Sequence, residues 1–149
     1  MSAPFPTPIA DSRIADTHPA GLNRTDAPRL LFLKTARLMA IGGANDARAA
    51  SVMMGWFGRN YRRPLVLMRA LMLEMARISQ RRIQLAPPCS NRLTRDEAMM
   101  LRALAREEWQ IDRCHEDACA LLAVDDALGT ATCFQAVANC FEDMGAPLR

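Results

Sequence analysis

The chain has 149 residues, of which 50% are apolar and 23% are charged, and its formal net charge is +3. This length fits one domain, and the apolar content is too high for a wholly disordered protein. Because only 5% of the residues are aromatic, the interior has to be filled by leucine, alanine and the ten methionines, which favour helices.

The first 27 residues predict a flexible, proline-rich tail. Four prolines lie there among small and polar residues, with no helical or strand period. The segment also lacks a basic stretch followed by an apolar run, so we expect no secretory signal and a cytoplasmic location. The five cysteines are then expected to be reduced thiols. Residues 28–149 are predicted to form a single helical domain.

Two helices are predicted at the start of this domain. The first begins at residues 26–28, where an aspartate can cap and a proline suits the first turn, and it ends at the glycine pair 42–43. Arg37 is expected opposite the apolar face of this helix or at the edge of that face. Asn45 is the expected N-cap of the second helix, which ends at Gly58.

The third helix, about residues 61–80, is the clearest of the predicted helices. Pro64 suits its first turn, and apolar residues then occupy nearly every side, with one narrow polar stripe at Arg69, Glu74 and Arg77. These charges argue against a membrane span. A helix that is apolar almost all round is normally covered by several neighbours. We therefore predict an all-α fold, a five- or six-helix orthogonal bundle around this central buried helix.

Three further helices are predicted towards the C-terminus. The segment TRDE at 94–97 has the pattern of a capping box and starts the fourth helix, which is expected to reach Trp109. Asp112 is the expected cap of the fifth helix. Gly129 is expected to break the chain, and the segment TCFQ at 132–135 predicts a second capping box for the last helix.

Charge is divided unevenly along the chain. Residues 59–95 hold nine arginines and one glutamate, a net charge of +8, whereas residues 96–149 hold four arginines and eleven acids, a net charge of −7. The division fits internal pairing between the two segments, and it equally fits a dipolar surface that binds an acidic partner. Both interpretations stay open at this level.

The candidate binding residues are arginines on either side of the third helix: Arg59, Arg62, Arg63, Arg81, Arg82, Arg92 and Arg95. Guanidinium groups bind carboxylates and phosphates. Because a helix of 18 residues is about 27 Å long, we expect two separate clusters unless the loops fold back. An acidic partner protein or a second copy of the chain is the favoured partner. Nucleic acid is the alternative, less favoured because few aromatic side chains lie nearby, Trp56 and Tyr61 among them.

The cysteines and histidines supply a second alternative, a thiol or metal sensor. Cys89 is the candidate reactive thiol, because arginines lie on both sides of it in the sequence and cations favour the thiolate. His115 and Cys119 are four residues apart and form a weak candidate metal pair, although zinc usually needs four ligands. The other cysteines, Cys114, Cys133 and Cys140, fit core positions.

Catalytic signatures are missing from the sequence. It contains no glycine-rich phosphate-binding motif and no zinc-protease motif, and no catalytic triad is forced by spacing. The acidic pairs of the C-terminal half fit solvated helix faces. The sequence therefore favours a non-enzymatic interaction or regulatory domain, and we expect no cofactor.

Five segments carry a resemblance to known proteins: GANDA at 43–47, RRPLVLMRAL at 62–71, APPC at 86–89, QAV at 135–137 and MGAPL at 144–148. Over residues 28–148 the chain resembles a family of small all-helical proteins of unknown function from sphingomonad-type alphaproteobacteria. The resemblance implies no catalytic residues. The matched positions of most interest are Asn45, Asp46, Arg62, Arg63, Arg69 and Cys89.

Overall fold

The computed structural model describes residues 26–105 and 110–149. These residues form six α-helices and a short 3-10 turn, with no strand among them. The helices are α1 (Ala27–Gly42), α2 (Ala47–Phe57), α3 (Arg62–Ile78), α4 (Arg95–Leu104), α5 (Ile111–Leu122) and α6 (Leu128–Asp143). The predicted all-α class is confirmed. The predicted tail falls almost entirely on residues 1–25, which lie outside the described residues.

The helices pack around one apolar core. α6 packs against α3, α4 and α5, while α1 packs against α2 and α3. α3 and α6 run antiparallel, as the pairing of Arg63 at the start of α3 with Asp143 at the end of α6 shows. At the other end of the pair, Glu74 lies against Gly129. None of the described helices combines the length and the apolar character needed to cross a membrane.

α1 is more fully enclosed than α3. Residues 31–39 are buried at every position except Lys34. On α3, by contrast, Val66 is 57% exposed and Leu73 is 58% exposed. The expectation that neighbours cover α3 on nearly all sides is therefore wrong. Apolar composition shows that burial would be favourable, but it does not show how many neighbours reach the helix.

The turn between α1 and α2 is closed by Asp46. Asp46 is the N-cap of α2, so the prediction of Asn45 is wrong by one residue. The Asp46 carboxylate accepts from the amides of Arg48 (2.8 Å) and Ala49 (3.3 Å), and it also pairs with the Arg48 guanidinium at 2.8 Å. This ion pair holds the pKa of the Asp46 carboxyl below its ordinary value. A neutral asparagine could not form it. The Asp26 side chain makes no capping hydrogen bond at the start of α1.

α4 starts with the predicted capping box. The Thr94 hydroxyl accepts from the Glu97 amide, and the Glu97 carboxylate accepts from the Thr94 amide, both at 3.0 Å. The helix ends at Leu104, before the predicted end at Trp109. Residues 106–109 lie outside the described residues.

The predicted starts of α5 and α6 are wrong. α5 begins one residue before Asp112, which therefore lies in the first turn and is not the cap. α6 begins at Leu128, so Gly129 lies inside the helix. The segment 132–135 is not a capping box, because the Thr132 hydroxyl donates to the Leu128 carbonyl at 2.8 Å. A threonine inside a helix can bond back to the preceding turn, so the same residue pattern fits both places.

Candidate interaction surface

One side of α3 is open to solvent and mostly apolar. We call it the α3 face, and it consists of five exposed residues at helical spacing: Arg62, Val66, Ala70, Leu73 and Arg77. The opposite side of the same helix is in the core, where Leu71 and Met75 are fully buried. α3 therefore has one side in the core and an outer side that is apolar in the middle and basic at both ends.

A shallow groove between α3 and α6 adjoins this face. Its volume is about 530 Å³, and it is lined by Arg62, Arg63, Val66, Leu67, Ala136 and Asn139. Its lining combines the two arginines at the start of α3 with the aliphatic side chains of α3 and α6. The groove therefore extends the α3 face towards α6.

The positive charge of the α3 face is uncompensated at one end. Arg62 and Arg63 are the first two residues of α3, and the first turn contains no acid. Arg62 forms no ion pair with another residue of the described ranges. Arg63 pairs with Asp143 at 3.3 Å, but both side chains are more than half exposed, and such pairs contribute little.

The other end of the α3 face is neutralised. Arg77 donates two hydrogen bonds to Glu74, at 2.8 and 3.0 Å. The Arg77 guanidinium holds the pKa of the Glu74 carboxyl below its ordinary value. The face thus carries its free positive charge at the Arg62 end only.

The predicted arginine clusters lie at opposite ends of α3 and do not converge. Arg59, Arg62 and Arg63 are at its start, and the others follow its end, about 24 Å along the axis of this 17-residue helix. Among the second group, Arg81 is used within the fold. Its guanidinium binds the Asp96 carboxylate at 3.1 Å and the carbonyl of Leu121 at 2.7 Å. The rest of that group is exposed: Arg82, Arg92 and Arg95.

Two residues from the segments that carry the family resemblance, Arg69 and Asn45, lie at the turn between α1 and α2. The Arg69 side chain donates to the carbonyl of Ala44 at 2.9 Å and so ties the α1–α2 turn to α3. Asn45 is exposed in that turn. Arg69 and Asp46 therefore hold the fold together and are not free for a ligand.

A buried ion pair, the Arg37–Glu97 junction, joins α1 to α4. Arg37 is 3% exposed and Glu97 is fully buried, and their side chains make two bonds of 2.7 and 2.9 Å. Arg37 also donates to the carbonyls of Ser90 (2.7 Å) and Arg92 (2.9 Å). Glu97 accepts in addition from the Ala86 amide at 3.0 Å. The expectation that Arg37 lies opposite or beside the apolar face of α1 is wrong, because its guanidinium satisfies acceptors inside the protein.

The junction holds the loop between α3 and α4, which presents Cys89. The loop turns where the Ser90 amide donates to the Pro87 carbonyl at 3.0 Å, and Cys89 is exposed on this turn. A second anchor is Asp96, which accepts from the Gln84 amide at 2.6 Å. The two acids at the start of α4 are therefore engaged by arginines and amides, and they are not available as a catalytic pair.

The side chains of His115 and Cys119 meet, as their spacing predicts. The Cys119 sulfur lies 3.5 Å from His115 Nε2, and Asp126 Oδ1 lies 3.2 Å from the same nitrogen. The Ala127 amide donates to Nε2 at 3.1 Å. Nε2 is therefore already contacted by a backbone amide and a carboxylate oxygen, and a metal at this nitrogen would have to displace the Ala127 bond. Within the described ranges no group of three His, Cys, Asp or Glu residues is placed to hold a metal ion.

Three cysteines occupy packing positions, as predicted. Cys114 and Cys140 are buried, and Cys133 is half-buried. Burial raises the pKa of the Cys133 thiol, and the charge of Glu74 raises it further. Burial also raises the pKa of the Cys140 thiol. These thiols are consequently poor nucleophiles at neutral pH.

Comparison with known proteins identifies the family. The model of a family of unknown function (DUF6628) matches residues 11–141. The chain belongs to this family. No curated protein and no solved structure matches it. The predicted membership of a family of unknown function is confirmed, and the sphingomonad origin stays a prediction.

The DUF6628 match covers the whole of α1 to α5 and most of α6, and with them the α3 face and the Arg37–Glu97 junction. Sequence reasoning missed both features. The junction leaves no local signal, because its partners are 60 residues apart. The α3 face does leave one: apolar residues recur on a single stripe that ends in arginine on both sides, a pattern that fits a docking surface as well as an interior helix.

Proposed function

We propose that this domain acts by binding another protein, and that the α3 face with its groove is the docking surface. The observation that carries the proposal is the exposure of Val66 and Leu73, each more than half, on a helix whose other side is core. Clustered apolar side chains on a surface typically mark a site of protein interaction. The occupant is a helix of the partner that lays its own apolar side along Val66, Ala70 and Leu73.

The other functions predicted from the sequence have less support. Nucleic-acid binding needs a row of free cations for the phosphates, yet Arg81 is bonded within the fold and the exposed arginines lie in two groups at opposite ends of α3. A metal sensor at His115 would require the loss of the Ala127 hydrogen bond. Neither alternative accounts for the exposed apolar residues of the α3 face, whereas a non-enzymatic interaction domain does.

The proposal is tested with a synthetic amphipathic peptide of about 15 residues, roughly 22 Å as a helix, that carries leucine on one side and glutamine elsewhere. Its binding to the full chain is measured by fluorescence anisotropy. We expect Val66→Gln together with Leu73→Gln to weaken binding about tenfold or more, because apolar area is no longer buried.

Ala120→Gln is the matched control, because Ala120 is exposed on α5, which contributes no residue to the α3 face or to the lining of its groove. It is expected to bind as the wild type does. Equal binding by the wild type and the Val66/Leu73 variant, or no binding by the wild type, overturns the proposal. Circular dichroism checks that each variant keeps its helices.

A further inference from the structure

We infer that the partner presents acidic side chains at one end of its docking helix, and that this partner is not a second copy of the chain. The inference rests on the proposed function and specifies the partner at the same surface. It is carried by the charges around the α3 face: two arginines at the start of α3, with no acid in that turn.

The position of these arginines is unfavourable in the isolated chain. The start of a helix carries a partial positive charge from its free amide groups, and acidic residues normally stabilise it there. α3 instead begins with Arg62 and Arg63. Cations that crowd a helix start are stabilised when an external carboxylate approaches, because it interacts with both guanidinium groups and with the helix dipole.

The acid that the described residues place beside this turn does not fill this role. Asp143 pairs with Arg63, at 3.3 Å, and its side chain is 60% exposed. Arg62 lines the groove beside Val66 and has no ion pair within the described ranges. A carboxylate on the docked helix can therefore meet Arg62 without displacing an existing bond.

A symmetric dimer through this face gives Arg62 no free acid. A two-fold axis between two α3 helices places Arg62 opposite either Arg62 or Arg77 of the second copy. Arg62 against Arg62 is a like-charge contact, and the acid beside Arg77, Glu74, is already bonded to Arg77. A different protein with an acidic helix supplies the missing carboxylate.

The geometry sets the form of the ligand. From Arg62 to Leu73 the face is about 16 Å long, which corresponds to three turns of helix. The partner helix needs an apolar stripe of this length, with glutamate or aspartate where the stripe reaches Arg62 and Arg63. Surface charges of this kind act mainly on association rate and specificity, so binding is expected to weaken with salt.

The experiment compares three peptides with the same leucine side and with glutamine, glutamate or lysine flanking it. At low salt we expect the glutamate peptide to bind about tenfold more tightly than the lysine peptide, with the glutamine peptide between them. Raising the salt from about 50 to 500 mM is expected to bring the three affinities together. Arg62→Glu with Arg63→Glu is expected to reverse the order.

Arg82→Glu with Arg95→Glu is the matched control, because it reverses two exposed arginines beyond the other end of α3. It is expected to leave the order unchanged. If all three peptides bind the wild type equally and none binds the Val66/Leu73 variant, the acidic partner is overturned and the proposed docking surface stands. No binding by any peptide overturns the proposed function itself.

Two further outcomes overturn the inference. One is a dimer in sedimentation equilibrium that the Val66→Gln/Leu73→Gln variant dissociates, because that result makes a second copy the occupant. The other is a single- or double-stranded oligonucleotide that binds more tightly than the glutamate peptide and no longer binds the Arg62/Arg63 variant. Monomeric wild type with weaker oligonucleotide binding supports the inference.

Discussion

The Arg37–Glu97 junction and the α3 face both contain arginines, but these arginines have opposite surroundings. At the junction a guanidinium is buried and bonded to a carboxylate and two carbonyls. On the α3 face Arg62 is exposed, beside aliphatic side chains, and without an ion pair in the described ranges. The first arrangement stabilises the fold, and the second is available to a partner.

The comparison shows which part of the charge division is internal. Arg81 pairs with Asp96 and Arg63 with Asp143, so two members of the basic segment are matched by the acidic segment. Internal pairing, one of the two interpretations open from the sequence, is therefore present. Arg62 has no ion pair within the described ranges, and it lies where the apolar surface is also exposed.

The largest effect is expected at the junction. Glu97→Gln leaves Arg37 as a buried charge without its counter-charge, and we expect the free energy of unfolding to fall by about 3–5 kcal/mol. Urea denaturation followed by circular dichroism measures it. Glu142→Gln is the control, since it removes only an exposed pair with Arg149. A loss no greater than that of the control would contradict the burial of the pair.

A double variant sharpens this prediction. Many buried ion pairs can be replaced by apolar residues without loss of stability. We expect Arg37→Met with Glu97→Leu to remain less stable than the wild type, because the carbonyls of Ser90 and Arg92 and the Ala86 amide lose their partners. Full recovery of stability would show that the loop does not depend on the junction.

The second prediction compares two leucines on α3. Leu71 is fully buried and Leu73 is 58% exposed. Leu71→Ala is expected to cost about 2–5 kcal/mol in unfolding free energy, and Leu73→Ala to stay within about 0.5 kcal/mol. Thermal and urea unfolding of the two variants measure the difference. Similar losses for both would mean that the α3 face is covered and that the docking proposal has no surface.

A smaller effect is expected at Asp96. Asp96→Asn removes the ionic partner of Arg81 but keeps an oxygen for the Gln84 amide, and Arg81 is partly exposed. We expect a loss of about 1–3 kcal/mol. Hydrogen exchange should speed up over residues 80–86 in particular. Asp143→Asn, which breaks an exposed pair, is the control, and uniform exchange in both variants would argue against a local anchor.

The smallest effect is expected at Asp46 and depends on pH. Its pKa is lowered in the folded protein, so the carboxylate stabilises the fold above its unfolded pKa of about 3.9, and this contribution is lost as the pH falls through the folded pKa. Asp46→Asn is therefore expected to lower Tm by a few degrees at neutral pH, and by progressively less below about pH 4. A difference in Tm that does not change with pH would show that Arg48 does not interact with the charge.

Much of the helical content could be predicted from the sequence, because its signals are local. The capping box at 94–97 and the proline in the first turn of α3 involve atoms within one turn of each other. The errors at Asn45, Asp112 and 132–135 are also local. In each case several residues fit the same position, and the surrounding turn selects one of them.

The sequence by itself determined which segments are helical, the packing role of the buried cysteines, and the presence of surplus arginine near the start of α3. Only the tertiary structure decided that Arg37 is buried against Glu97 and that α3 is covered on one side. Hydrogen bonds within a turn depend on neighbours along the chain. Burial depends on which surfaces meet in space, and residues 60 positions apart meet only after the helices have packed.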